Sequence, residues 1–144
     1  MKTIKSFVII LLGIVMTVNF ATAQNYKAPK IYASGKVTDA GGIYLGWIAK
    51  ERAIKDTSGN KIASIDSEEN PIDAKTGKKI GKASKNGNFV SEEIKTSDKG
   101  WTTSNSVNGT CLIKDGNGTI QAEVHENYKA QGACAIHCLV KQRK

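Results

Sequence analysis

GKVTDAGGIYLGWI (residues 35–48), RAIKDTSGNKIASI (52–65) and NPIDAKTGKKIGKA (70–83) are three copies of one pattern. Gly42, Gly59 and Gly77 anchor the copies, 17 and 18 residues apart. Five residues before each anchor stands a β-branched aliphatic (Val37, Ile54, Ile72), and three after it another aliphatic (Leu45, Ile62, Ile80). A small residue follows (Gly46, Ala63, Gly81), then an apolar one six after the anchor (Ile48, Ile65, Ala83). Asp39 and Asp56 lie three before their glycines, and Ala74 takes that place in the third copy. Self-similarity at a fixed period marks a repeat architecture. A period this short matches one strand–turn–strand unit.

Apolar and polar residues alternate within the copies, which argues strand over helix. The turns fall at Ala40-Gly41-Gly42, Ser58-Gly59-Asn60 and Thr76-Gly77-Lys78. Glycine reaches the positive φ that hairpin turns require, and a short carboxylate beside it accepts backbone N–H bonds. A fourth unit starts at Asn86-Gly87, with Phe89 in the place of Val37 and Ile54, and then turns polar. A fifth is recoverable around Gly118, with Ile113, Asp115, Ala122 and Val124 in place and Ile120 one position early. The long gap between Gly77 and Gly118 implies a polar insertion at 97–107, which includes Trp101. The tail, GACAIHCLVKQRK (132–144), reads as a closing strand with Cys134, Ile136, Cys138 and Val140 on one face; a helix is the alternative.

Lys2, Lys5, the apolar run Phe7–Val18 and Ala21-Thr22-Ala23 have the form of a secretory signal peptide cleaved after Ala23. The run is too short to span a bilayer. The expected organisation is a signal peptide (1–23), a lead-in (24–34), a β-repeat domain (35–127) and an apolar Cys/His tail (128–144). Secretion or a periplasmic location follows, with no membrane span after cleavage. The net charge of the full chain is +8, and lysine supplies nearly all of the cations; Arg52 and Arg143 are the two arginines. Nucleic-acid readers rely on the bidentate arginine fork, so no nucleic-acid partner is expected. An anionic cell-surface polymer remains a candidate partner.

The three cysteines, Cys111, Cys134 and Cys138, make a disulfide from Cys111 to the tail the leading expectation in an exported protein. With His125 and His137 they are also zinc-ligand types. The C-x-x-H-C spacing is not a finger pattern, however, and neither a metal nor any other cofactor is expected. Asp115-Gly116-Asn117-Gly118, with Glu126 at the twelfth position, has the start of a calcium loop, yet a hairpin turn accounts for it. No G-x-S-x-G, H-E-x-x-H, P-loop or C-x-x-C occurs. No catalytic residue is assigned, and an enzyme is not expected.

The recurring G-x-V-x-D-x-x-G-x-x-(I/L)-G-x-I pattern resembles the five-fold β-flower proteins, small exported proteins typical of the Bacteroidetes. The likeness is close over Gly35–Ala83 and looser over Asn86–Val124. It implies an all-β fold of tandem short hairpins closed into a roughly five-fold flower or prism; an open β-solenoid is the competing architecture. Closure also follows from physics, because a lone hairpin is marginal in water and an open stack leaves strand edges exposed. The resemblance implies no activity. The expected function is a non-enzymatic exported binding or envelope module for a carbohydrate or other cell-surface ligand, using Tyr44, Trp47 and Trp101. Trp47 is expected to face outward, because Ser64 and Lys82 are its counterparts in the other copies. The alternative is a secreted toxin, effector or immunity-type protein that acts through its tail.

Overall fold

The structure, a computed structural model, describes residues 27–93 and 100–140. The expected signal peptide, residues 94–99 around the start of the expected insertion, and residues 141–144 lie outside the described residues. The elements are β1 (Lys30–Ile31), β2 (Lys36–Thr38), β3 (Tyr44–Ala49), β4 (Ala53–Asp56), β5 (Lys61–Ile65), β6 (Pro71–Asp73), β7 (Gly81–Ala83), β8 (Phe89–Ser91), β9 (Thr102–Thr103), β10 (Thr110–Lys114) and β11 (Ile120–His125). A 3-10 turn, Glu126–Tyr128, leads into a helix, α1 (Lys129–Leu139), the one α-helix among the described residues. The fold is thus mostly β. A nine-stranded mixed sheet runs β6-β5-β4-β3-β2-β1-β11-β10-β9, and β7 and β8 form a separate hairpin sheet. The parallel pairing of β1 with β11 sets the first strand beside the last. Single bridges link Ile72 to Lys79 and Phe89 to Trp101, on either side of the small sheet.

One turn geometry recurs. Asp39, Asp56, Asp66 and Asp115 each accept at their carbonyl a bond from the N–H three residues on, at Gly42, Gly59, Glu69 and Gly118. Their own N–H groups donate to the carbonyls of Ile43, Asn60, Asn70 and Thr119. This is the three-residue hairpin loop with a left-handed third residue. In each case one carboxylate oxygen accepts two further backbone N–H bonds, such as Gly41 and Ile43 on Asp39 at 2.8 and 2.9 Å. The connections between units use the same device, with positive φ at Gly35 (86°), Arg52 (59°), Glu69 (72°) and Gly87 (87°). Two of these are not glycine. Arg52 and Glu69 form an ion pair at 2.9 Å, and Gln131 on α1 donates to the same Glu69 oxygen at 3.0 Å. The side chains at these two left-handed positions therefore tie neighbouring units to the helix.

The structure corrects the register of the third copy. Asp73, not position 74, opens its turn, accepting from the N–H groups of Lys75 and Thr76 at 2.8 Å. The loop is one residue longer, closing through Gly77 and Lys78. Aligned on the aspartate, the inward residue is Pro71, which is fully buried, while Ile72 is only partly so. A glycine anchor misplaces it because the inserted residue lies between the aspartate and the glycine.

The tail is a helix and not the expected closing strand. Every residue from Gly132 to Leu139 is buried. A helix covered on all sides needs no amphipathic stripe, so its sequence carries no helical period. α1 touches β3, β4, β5, β7, β9, β10 and β11. Ile136 and Leu139 join Val37, Leu45, Ile48, Ile54, Ile113 and Val124 in one core. Gly132 lets the helix approach β11, since a Cβ there would stand 2.8 Å from Val124 Cγ2. No helix among the described residues is long and apolar enough to cross a membrane.

Gly46 carries a comparable constraint, with φ 148° and a notional Cβ that runs into the Lys55 carbonyl and approaches Leu139. Gly46→Ala is expected to lower unfolding free energy by about 3 kcal/mol. Gly42→Ala, at φ 84° with open space around it, should lose only about 1 kcal/mol. Urea unfolding of the two variants checks the difference.

The turn carboxylates also predict acid sensitivity. The N–H groups of Thr76 and Lys75 hold Asp73 below its ordinary value of 3.8. Burial raises Asp66, but the Asn70 N–H, the Asn70 amide and the Glu68 N–H outweigh it and leave that carboxyl lowered too. A group depressed in the folded state adds stability above its unfolded pKa and loses it as pH falls through the folded one. Stability should therefore fall as pH drops below about 4. In Asp73→Asn that acid-side slope should be shallower, as read by thermal unfolding between pH 2 and 6.

Candidate binding face

The outer face of β2–β4 is built by a bulge. In the β2–β3 pair Val37 faces Gly46 and Thr38 faces Tyr44, so Leu45 is an extra residue. The bulge shifts the pleat by one, as an inserted residue must. Leu45 and Ile48 are buried inward, whereas Tyr44 and Trp47, an odd number apart in sequence, share the outer side. Their rings lie 6.5 Å apart between centroids and 12° from parallel. Tyr44 is 37% exposed, and Trp47 is half-buried.

Lysines flank this pair. Cross-strand register sets Lys36 opposite Trp47 on β2 and Lys55 opposite Trp47 on β4, and Lys61 on β5 opposite Lys55. Lys36 Nζ lies 5.8 Å from the ring centroids of both Tyr32 and Tyr44. Lys55 Nζ lies 5.9 Å from the Trp47 ring and pairs with Glu51. Hydrogen bonding to Lys55 holds the Glu51 carboxyl below its ordinary range. Ser34, Lys36, Tyr44 and Trp47 line a shallow, open hollow of about 430 Å³. The expected pair Tyr44 and Trp47 is thus brought together on one face. Lys36, Lys55 and Tyr32 were not anticipated there. A hairpin alignment of β2 and β4 against β3 would have found both lysines.

Trp101 is not part of this face. It bridges to Phe89, packs edge-on against that ring at 6.4 Å and lies 6.3 Å from the His137 ring. It is half-buried and packs against the core. His137 is buried, with Nε2 3.4 Å from Ser91 Oγ and its ring 5.2 Å from Phe89. Ser91 itself is 2% exposed, so the pair has almost no open side for a substrate.

The three cysteines are separate buried thiols, and the expected bridge from Cys111 to the tail is not formed. Cys134 and Cys138 are a helical turn apart within α1, and Cys134 Sγ donates to the Gln131 carbonyl at 3.1 Å. Burial raises the Cys111 thiol, raises Cys134 far above its ordinary value with the help of Cys138, and pushes Cys138 up to about 12. No group of three or more His, Cys, Asp or Glu is placed to hold a metal ion among the described residues. His125 Nδ1 accepts the Asn127 N–H at 3.2 Å and caps the 3-10 turn. Asp115 serves its own turn, with Gln121 on its second oxygen at 3.0 Å.

Comparison with family models, with curated proteins and with solved structures returned no match to this chain.

The thiols supply a test of the interior. The thiolate is the reactive form, so a disulfide reagent at pH 8 should label none of the three within the time that fully labels them in guanidinium. Prompt labelling of the native protein would place a cysteine at the surface.

Proposed function

We propose that this chain is an exported, non-enzymatic β-repeat protein that binds a carbohydrate through the face carrying Tyr44 and Trp47. One observation carries the reading: two near-parallel rings, brought to one side by the Leu45 bulge and left partly open to solvent. A sugar ring presents C–H groups on one face and hydroxyls at its rim. An open aromatic pair can cover the first while leaving the second to water and to neighbouring polar groups. The reading places the protein in the periplasm or outside the cell, as a secreted or envelope component.

The proposed scaffold is a closed, roughly five-fold arrangement of hairpin units around α1, of the kind the β-flower resemblance implies. Support comes from the β1–β11 pairing, from the bridges on both sides of the small sheet, and from the strands that α1 touches. Pro71, Phe89 and Ile113 recur at the inward place of Val37 and Ile54, two residues before Asp73, Ser91 and Asp115. An open solenoid would leave α1 bare on one side. The competing functional reading, a toxin, effector or immunity-type protein acting through its tail, needs Cys134, His137 and Cys138 presented to a partner, and all three are buried.

Tryptophan fluorescence titration against a polysaccharide panel tests the binding role. Trp47→Ala should weaken saccharide binding by at least about tenfold, while leaving stability within about 1 kcal/mol. Trp101→Ala should lower stability by about 3 kcal/mol and leave saccharide affinity unchanged at temperatures where it stays folded. No response to any saccharide would sink the carbohydrate role.

A further inference from the structure

The binding face has a charge pattern as well as a shape. Trp47 lies in a cross-strand row of Lys36, Trp47, Lys55 and Lys61, one residue from each of four adjacent strands. The cations thus stand on both sides of the ring. Lys36 is held between the Tyr32 and Tyr44 rings, and no carboxylate pairs with it among the described residues. Cation–π contact fixes the aliphatic stem and leaves the ammonium hydrogen-bonding capacity available. On the other side Glu51 compensates only part of the charge, because it stands against both Lys55 and Lys61.

Resting on the carbohydrate reading above, we infer that the ligand is an acidic polysaccharide, with uronate-type carboxylates on its sugar rings. A ring stacked on Tyr44 and Trp47 would carry its own or its neighbour's carboxylate to Lys36 on one side and to Lys55 and Lys61 on the other. Lysine suits this task as a compact, hydrated point charge, whereas a planar fork would demand one bidentate geometry. A single-stranded nucleic acid also stacks and carries anions, but it needs a basic groove that tracks a backbone past successive rings. Here one ring pair is flanked by isolated cations, and no arginine lies in the row.

Calorimetric titration of the purified protein with tetragalacturonate, with its methyl ester, and with a short dT oligonucleotide tests the inference. The uronate should bind about fivefold or more tighter than the neutral ester, and its affinity should fall as salt rises. Lys36→Gln should weaken the uronate more than the ester, so that the two affinities draw together. Equal affinities for uronate and ester, both bound, would overturn the acidic-ligand inference while the carbohydrate role stands. Binding of neither saccharide would remove the carbohydrate role and this inference with it. Tighter binding of the oligonucleotide than of the uronate would replace the saccharide with a nucleic acid.

Discussion

The rest of the structure depends on covering one helix. From Gly132 to Leu139 every residue of α1 is buried, and strands of both sheets touch it. A flat sheet could cover one face only. The chain meets the requirement with a meander of short strands and tight turns, β1 lying back against β11. Close approach to the helix and between strands is made possible by small residues. At Gly81 a Cβ would meet the Phe89 ring and the Val90 carbonyl at 2.5 Å, and at Gly132 it would meet Val124. Arg52, Glu69 and Gln131 add a polar clamp at the helix's first turns. An ion pair partly withdrawn from water stabilises only where its hydrogen-bonding capacity is met. Arg52 meets this by also donating to the Asp66 carbonyl at 2.7 Å.

The same local device serves the core and the outer face. An extra residue follows the turn in several units, at Leu45, Ile62 and Gln121. In the first unit it turns Leu45 inward and puts Tyr44 beside Trp47 outside. On β11 the corresponding residue, Gln121, is polar, and its amide donates to Asp115. The bulge is therefore a property of the scaffold, while the residues around it decide whether a unit displays aromatics. In this chain the first unit does so, with lysines from the strands on either side.

Much of the scaffold was legible in the repeats. The glycine turns, the aspartates and the inward aliphatics Val37, Leu45, Ile54 and Ile65 follow from period and residue chemistry. The third unit departs from the glycine-anchored pattern because its turn is one residue longer, and proline rather than isoleucine fills its inward place. Arg52 and Glu69 hide two left-handed turns, since glycine and asparagine, not arginine or glutamate, announce that conformation in a sequence. The helix was illegible for a different reason: burial all round erases the stripe by which helices are recognised. Of the candidate face, Trp47 could be singled out by its counterparts Ser64 and Lys82. The lysines come into view only when β2 and β4 are paired against β3, because register is not written in one strand alone. Trp101 looked equally available, and its bridge to Phe89 placed it over the core instead.

Amide hydrogen exchange under native conditions is the most direct test of the central claim, that the strands are organised around α1. If they are, amides of Cys134–Cys138 will exchange only through global unfolding, with the same free energy as the best-protected amides of β3, β4 and β11. If those helix amides instead open at markedly lower free energy while the strands stay protected, the helix is an appendage and the account is wrong.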